Sequence, residues 1–122
     1  MSENQKWRNV VHYKSYFGDF FKKQSIQIQS KIIWTIDVIE DLQYVPQIYL
    51  THIANTKGLY EIRVLVGNDI IRIFCFFETG KLVILINGFQ KKTQKTPKRE
   101  IEFALKLKAE YENEKFNNSR GI

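Results

Sequence analysis

Five cations and no acid fall between Lys91 and Arg99, within the run Asn87-Gly88-Phe89-Gln90-Lys91-Lys92-Thr93-Gln94-Lys95-Thr96-Pro97-Lys98-Arg99. So much like charge is too costly to bury unpaired, so the segment belongs at the surface, where it attracts an anion. Thr93 and Thr96 add hydroxyl donors, and a helix opening at Pro97 would turn its N-terminus, which favours anions, towards the same place. Phosphate fits this chemistry, and its abundance on nucleic acid makes RNA or DNA the first candidate partner. A basic loop that only keeps the protein soluble has the same composition, so the run alone does not decide between the two.

Two arginines strengthen the phosphate reading. Arg63 and Arg72 interrupt apolar runs, Glu61-Ile62-Arg63-Val64 and Ile71-Arg72-Ile73, on what read as neighbouring strands. A guanidinium held in such a setting grips phosphate through its planar fork, and two of them with Lys91 or Lys92 would make one sheet face electropositive. Whether they share a face depends on the hairpin register; the plain alternative is an Arg63 pair with Glu61 or Glu78 at the surface. Tyr60, Phe74, Phe76, Phe77 and Phe89 lie on the same strands and have the ring faces that stack on bases, although most of them are needed to fill a core. Among these, Tyr60 has the best claim to a functional hydroxyl.

Other constellations point elsewhere or nowhere. His12 and His52 would have to meet in one cleft to form a paired-histidine ribonuclease. Asp37, Glu40 and Asp41, and then Glu110, Glu112 and Glu114, read as solvated helix faces and not as metal or glycosidase sites. The lone Cys75 has no intramolecular disulfide partner, no His/Cys set has metal-ligand spacing, and no dinucleotide, P-loop or GxSxG motif occurs.

The elements that must position these residues follow from periodicity. Trp7 to Tyr16 opens with β-branched and aromatic residues and predicts a first strand. Phe17, Phe20 and Phe21 then fall at helical spacing. From Ser25 to about Leu42 a longer amphipathic helix places Ile28, Ile32, Ile36 and Ile39 in one stripe, with Ile33 beside it. Pro46 ends that region, and Gln47 to Ile53 reads as a connector with a short helical segment. Alternation resumes with Tyr60, Ile62, Val64 and Val66 on one face and Glu61 and Arg63 on the other. Gly67-Asn68 supplies positive-φ residues for a tight hairpin into Ile70 to Phe77, and Thr79-Gly80 turns the chain into Lys81 to Phe89. Thr96 is the expected N-cap of a last helix from Pro97 to about Phe116, whose narrow apolar edge holds Ile101, Ala104, Leu105 and Leu107. The sum is an α+β domain: a three-stranded antiparallel meander plus an N-terminal strand, packed with N-terminal helices and a C-terminal helix.

The 122 residues suit one domain, with 1–6 and 117–122 expected to fray. Hydrophobic content of 43% and charged content of 26% are ordinary for a globular chain, while 14% aromatic is high. The net charge of +6 divides unevenly, with seven cations against five acids before Gly58 and twelve against eight after it. Basicity leans towards the half that holds the lysine run. No signal-peptide pattern and no apolar segment of membrane-spanning length occurs, so a cytoplasmic protein with no membrane contact is expected.

Three stretches together resemble a known family: Gly58-Leu59-Tyr60-Glu61-Ile62-Arg63-Val64, Ile71-Arg72-Ile73-Phe74, and Ile86 to Pro97 with its F-x-K-K-T-x-K-T-P block. They are similar to the phage-derived Gp49-like, or HigB-like, toxins of the RelE/ParE superfamily of type II toxin-antitoxin systems, over about Gly58 to Glu112. The first 55 residues match in general layout only. The resemblance implies a RelE-like fold and a metal-free mRNA endoribonuclease, or mRNA interferase, that acts on transcripts in the A site of the 70S ribosome. It implies no cofactor, and a cognate helix-turn-helix (HigA-like) antitoxin as partner. Carried onto this chain, the active face would hold Arg63, Arg72, Lys91 and Lys92 as catalytic candidates, and Lys57, Tyr60, Thr93, Lys95, Lys98 and Arg99 as RNA contacts.

Cleavage of RNA without a metal needs attack by a 2′-hydroxyl on the adjacent phosphate, with one group taking a proton, another giving one, and cations stabilising the added charge. Arginine is a poor base, so Arg63 and Arg72 suit charge stabilisation. A lysine crowded by cations loses its proton more readily, which makes Lys91 or Lys92 the candidate base. Two rivals use the same features: a ParE-like toxin that blocks DNA gyrase by contact, and a plain RNA-binding module.

Overall fold

The structure is a computed structural model that describes residues 6–79, 81–91 and 96–119. Its elements run β1 (Asn9–His12), α1 (Tyr16–Lys22), α2 (Ile26–Asp41), β2 (Leu50–His52), β3 (Tyr60–Val66), β4 (Asp69–Glu78), β5 (Leu82–Lys91) and α3 (Lys98–Ser119). The strands form one sheet in the order β1-β5-β4-β3-β2, parallel between β1 and β5 and antiparallel elsewhere.

The sheet is covered on both faces, which is why β4 and β5 carry long apolar runs and not strict alternation. On one face Ile62, Val64, Ile71, Ile73, Cys75, Val83 and Leu85 pack with Ile32 and Ile39 of α2, joined by Phe17, Phe20 and Phe21 of α1. On the other, Leu59, Phe74, Phe76, Ile84 and Ile86 pack with Ala104 and Leu107 of α3, flanked by Ile101, Leu105 and Tyr111. The isoleucine stripe of α2 is therefore the core-facing edge. Ser25 caps that helix, its hydroxyl accepting the Ile28 N–H at 3.2 Å.

Four local expectations need correction. The connector after Pro46 holds a fifth strand, β2, and not a short helix. The Pro46 carbonyl accepts the N–H groups of Tyr49 and Leu50, and the chain then pairs with the open edge of β3 from Leu50–Ile62 to His52–Tyr60. A three-residue strand has too few positions for its period to show, and its ladder bonds come from β3. In the hairpin after β3 only Gly67 takes a positive φ, +59°, while Asn68 does not. Glu40 is not solvated: it is nearly buried, accepts the Val10 N–H at 2.9 Å and pairs with Lys6 at 3.0 Å, fastening α2 to β1. Finally, the Thr96 hydroxyl donates to Glu61 at 2.9 Å instead of capping α3, and the Pro97 carbonyl receives the first helical bonds, from Glu100 and Ile101. At the far end α3 continues through Ser119.

Candidate nucleic-acid interface

Register decides the question the sequence left open. Arg63 and Arg72 are direct partners across β3 and β4, and Arg72 is in turn opposite Phe89 of β5. Directly opposed residues of an antiparallel pair project to the same face. The row Arg63-Arg72-Phe89 therefore lies on the α3 face of the sheet, where Phe89 stacks on Phe74 with ring centroids 5.5 Å apart. The neighbouring row towards α3 holds Glu61 opposite Phe74, and the row beyond has Leu65, Ile70 and the backbone position of Lys91.

A β-bulge shapes this surface. Ile73 pairs with Gly88 but Cys75 pairs with Leu85, so β5 carries one extra residue, and both Ile86 and Asn87 answer Phe74. Gly88 points to the opposite face, where a Cβ would lie 2.8 Å from the Phe20 ring. Alternation from Gly88 then places Asn87 and Phe89 together on the arginine face.

The electrostatics of the two arginines differ. Arg72 is 6% exposed and its Nη1 donates to Glu61 Oε1 at 2.7 Å; Glu61 is itself 4% exposed and its other oxygen accepts from Thr96. The carboxylate thus fixes the Arg72 plane and ties β3 to the start of α3. Arg63 is half-buried and forms no ion pair among the described residues. Among those residues the buried side-chain nitrogens and oxygens that lack a partner are Arg63 Nε, Arg72 Nε and both amide atoms of Asn87, all on this one face. Buried polar atoms are normally satisfied, so this cluster holds the unused hydrogen-bonding capacity of the face.

The remaining candidates fall around or away from this face. Lys98 and Arg99 are exposed in the first turn of α3, next to Thr96 and hence beside the Glu61–Arg72 pair. Lys57 is exposed in the turn before β3. Tyr60 projects to the opposite face, opposite Cys75, in edge contact with His52 and Phe77, so the structure does not bring it to the arginines. Lys92, Thr93 and Lys95 lie outside the described residues. Of the stacking candidates, Phe74 and Phe76 are buried in the core and Phe77 faces the α1–α2 side, which leaves Phe89. His12 and His52 sit on β1 and β2, the two outer edges of a five-stranded sheet, about 19 Å apart at the usual strand spacing, so they share no cleft. Glu61 and Asn87 were missed as site residues. The signal for both was present: each is polar within an apolar strand.

The far half of α3 is an anchoring region. Tyr13 donates to Glu110 and Glu114 at 2.8 Å each, and burial followed by these carboxylates pushes its hydroxyl up to about 12. Tyr111 donates to Glu78, which also pairs with Lys115; burial first, then Glu78, pushes Tyr111 up to about 12. The Lys115 and Tyr111 donors hold Glu78 below the usual carboxyl range. Bound this way, α3 is fixed along β4 and β5 while its first turn stands over the arginine face. Among the described residues no group of three or more His, Cys, Asp or Glu could hold a metal ion, and no helix is long and apolar enough to cross a membrane.

Comparison with known proteins adds the identity of the fold. No curated protein matches the chain. The profile of the family described as Phage derived protein Gp49-like (DUF891) matches residues 19–109, which include α2, the whole meander and the first half of α3. With three-quarters of its length matched and the helix–sheet–helix arrangement of RelE, the chain belongs to the Gp49-like family, a HigB-like toxin family of the RelE/ParE superfamily.

Proposed function

We propose that this protein is the toxin of a type II toxin–antitoxin pair, working in the cytoplasm as an mRNA endoribonuclease in the ribosomal A site and silenced by a cognate helix-turn-helix antitoxin. The observation that carries the reading is the row Arg63-Arg72-Phe89, with both arginine Nε atoms buried and without a partner among the described residues. Two guanidiniums side by side suit a phosphate whose charge increases during reaction, and the half-buried ring suits an adjacent base.

In the reaction, the 2′-oxygen bonds to phosphorus as its proton passes to a base, and the phosphorus–5′-oxygen bond breaks as that oxygen takes a proton from solvent water, the base later returning its own proton to solvent. The products are a 2′,3′-cyclic phosphate and a 5′-hydroxyl. Arg63 and Arg72 stabilise the pentacoordinate phosphate, and Glu61 keeps Arg72 in the required plane. Lys91, at the end of β5, or Lys92 after it, takes the proton. Lys57, Lys95, Lys98 and Arg99 hold the flanking backbone by charge, with Thr93 as a hydroxyl donor, while Tyr60, packed on the opposite sheet face with His52 and Phe77, takes no part in this contact.

The test is translation on purified ribosomes with a defined message, mapping 5′ ends by primer extension. Cuts inside A-site codons that require ribosomes and disappear in Arg63→Ala are expected. An intact message in the presence of folded, growth-arresting protein overturns the ribonuclease reading in favour of a gyrase-directed, ParE-like toxin.

A further inference from the structure

We infer that Asn87, with the ring of Phe89 beside it, forms a subsite for one base of single-stranded RNA, next to the arginines that take its phosphate. This deepens the reading above and rests on it. Asn87 is 7% exposed, and neither its amide nitrogen nor its amide oxygen has a hydrogen-bond partner among the described residues. Other buried polar side chains of the described residues are paired: Thr35 donates to the Lys31 carbonyl, Glu40 accepts from Val10, and Glu61 accepts from Arg72 and Thr96. The unpaired atoms are not spread through the fold; they gather on Arg63, Arg72 and Asn87, on one face of three adjoining strands.

The placement has a cause. The bulge in β5 adds a residue at Ile86-Asn87, so that Ile86 fills the core against α3 while Asn87 takes a second position on the same face. An apolar residue at 87 would fill the space with no polar cost, so the amide is retained at a penalty to the fold. An amide presents a donor and an acceptor side by side, the complement of the edge of an unstacked base, and Phe89 lies two residues along the strand, about 7 Å away. A base stacked at Phe89 and bonded by Asn87 would leave its phosphate at Arg72, which is directly opposite Phe89.

The experiment is nitrogen-15 NMR of the intact protein, following the Asn87 side-chain amide and the arginine Nε–H resonances. The protein is titrated with inorganic phosphate and with each of the four nucleoside 5′-monophosphates. Inorganic phosphate is expected to move the arginine signals alone, and one or two of the nucleotides to move the Asn87 amide as well. If nucleotides move the arginines but never Asn87, the base subsite is overturned and the phosphate reading stands. If they move Asn87 but not the arginines, the subsite stands and the phosphate reading fails. On programmed ribosomes, Asn87→Ala and the isosteric Asn87→Asp, each first shown to be folded, should lose about tenfold or more of their cleavage at codons carrying one particular base, with other codons little changed. An equal loss at every codon would mean that Asn87 serves only the fold.

Discussion

Arg72 commits one nitrogen to Glu61 at 2.7 Å, whereas Arg63 has no carboxylate partner among the described residues. Their substitutions should therefore separate stability from activity. Arg72→Ala strands a carboxylate that is 4% exposed, and breaking a buried pair from one side costs on the order of 3–5 kcal/mol. Arg63→Ala removes a half-buried side chain with no ion pair among the described residues, so its stability should stay within about 1 kcal/mol of the parent. Its single-turnover cleavage on programmed ribosomes should nonetheless fall on the order of 10²-fold, because a donor to the developing charge is gone. Thermal melts beside the cleavage rates would decide this. A stable Arg63→Ala protein that cuts at the parental rate would remove Arg63 from the chemistry.

At the scale of elements, what the sequence reveals depends on how local the governing forces are. The α2 stripe, the alternation of β3 and the positions of the meander turns are set by residues close in sequence, and all three are legible from pattern, although the Gly67-Asn68 conformation is not. Strand β2 is not, since its pairing with β3 is long-range and its three residues show no period. Nor does pattern reveal the bulge, which moves Asn87 onto the arginine face by adding one residue to β5. Arg63 and Arg72 stand out in the sequence as interruptions of apolar runs, yet their common face followed only from register, and Glu61 as the partner of Arg72 only from the fold. The bulge also accounts for Gly88, whose Cα faces α1 so closely that an added Cβ would sit 2.8 Å from Phe20. Gly88→Ala should cost about 1–3 kcal/mol by overpacking, measurable by denaturant titration, and Phe20→Leu in the same background should return part of it. If Gly88→Ala is as stable as the parent, α1 is not pressed against β5 as described.

Seen whole, the sheet is clothed by α1 and α2 on one side and by α3 on the other, and the arginine row occupies the part of the α3 side beyond the contacts of Ala104 and Leu107. A net charge of +6 draws RNA to any part of this surface, so affinity alone cannot identify the binding face. Salt dependence can. Each phosphate neutralised on a single strand contributes about −0.7 to the slope of log K against log salt. Arg63→Ala should therefore flatten the slope for a short oligoribonucleotide by about 0.7. Lys22→Gln should leave it unchanged, because Lys22 is exposed in the last turn of α1, across the sheet from the arginines. Fluorescence anisotropy over a salt series gives both slopes. Equal flattening in the two variants would mean that RNA is held by diffuse charge, and the arginine row would lose its standing as the binding face.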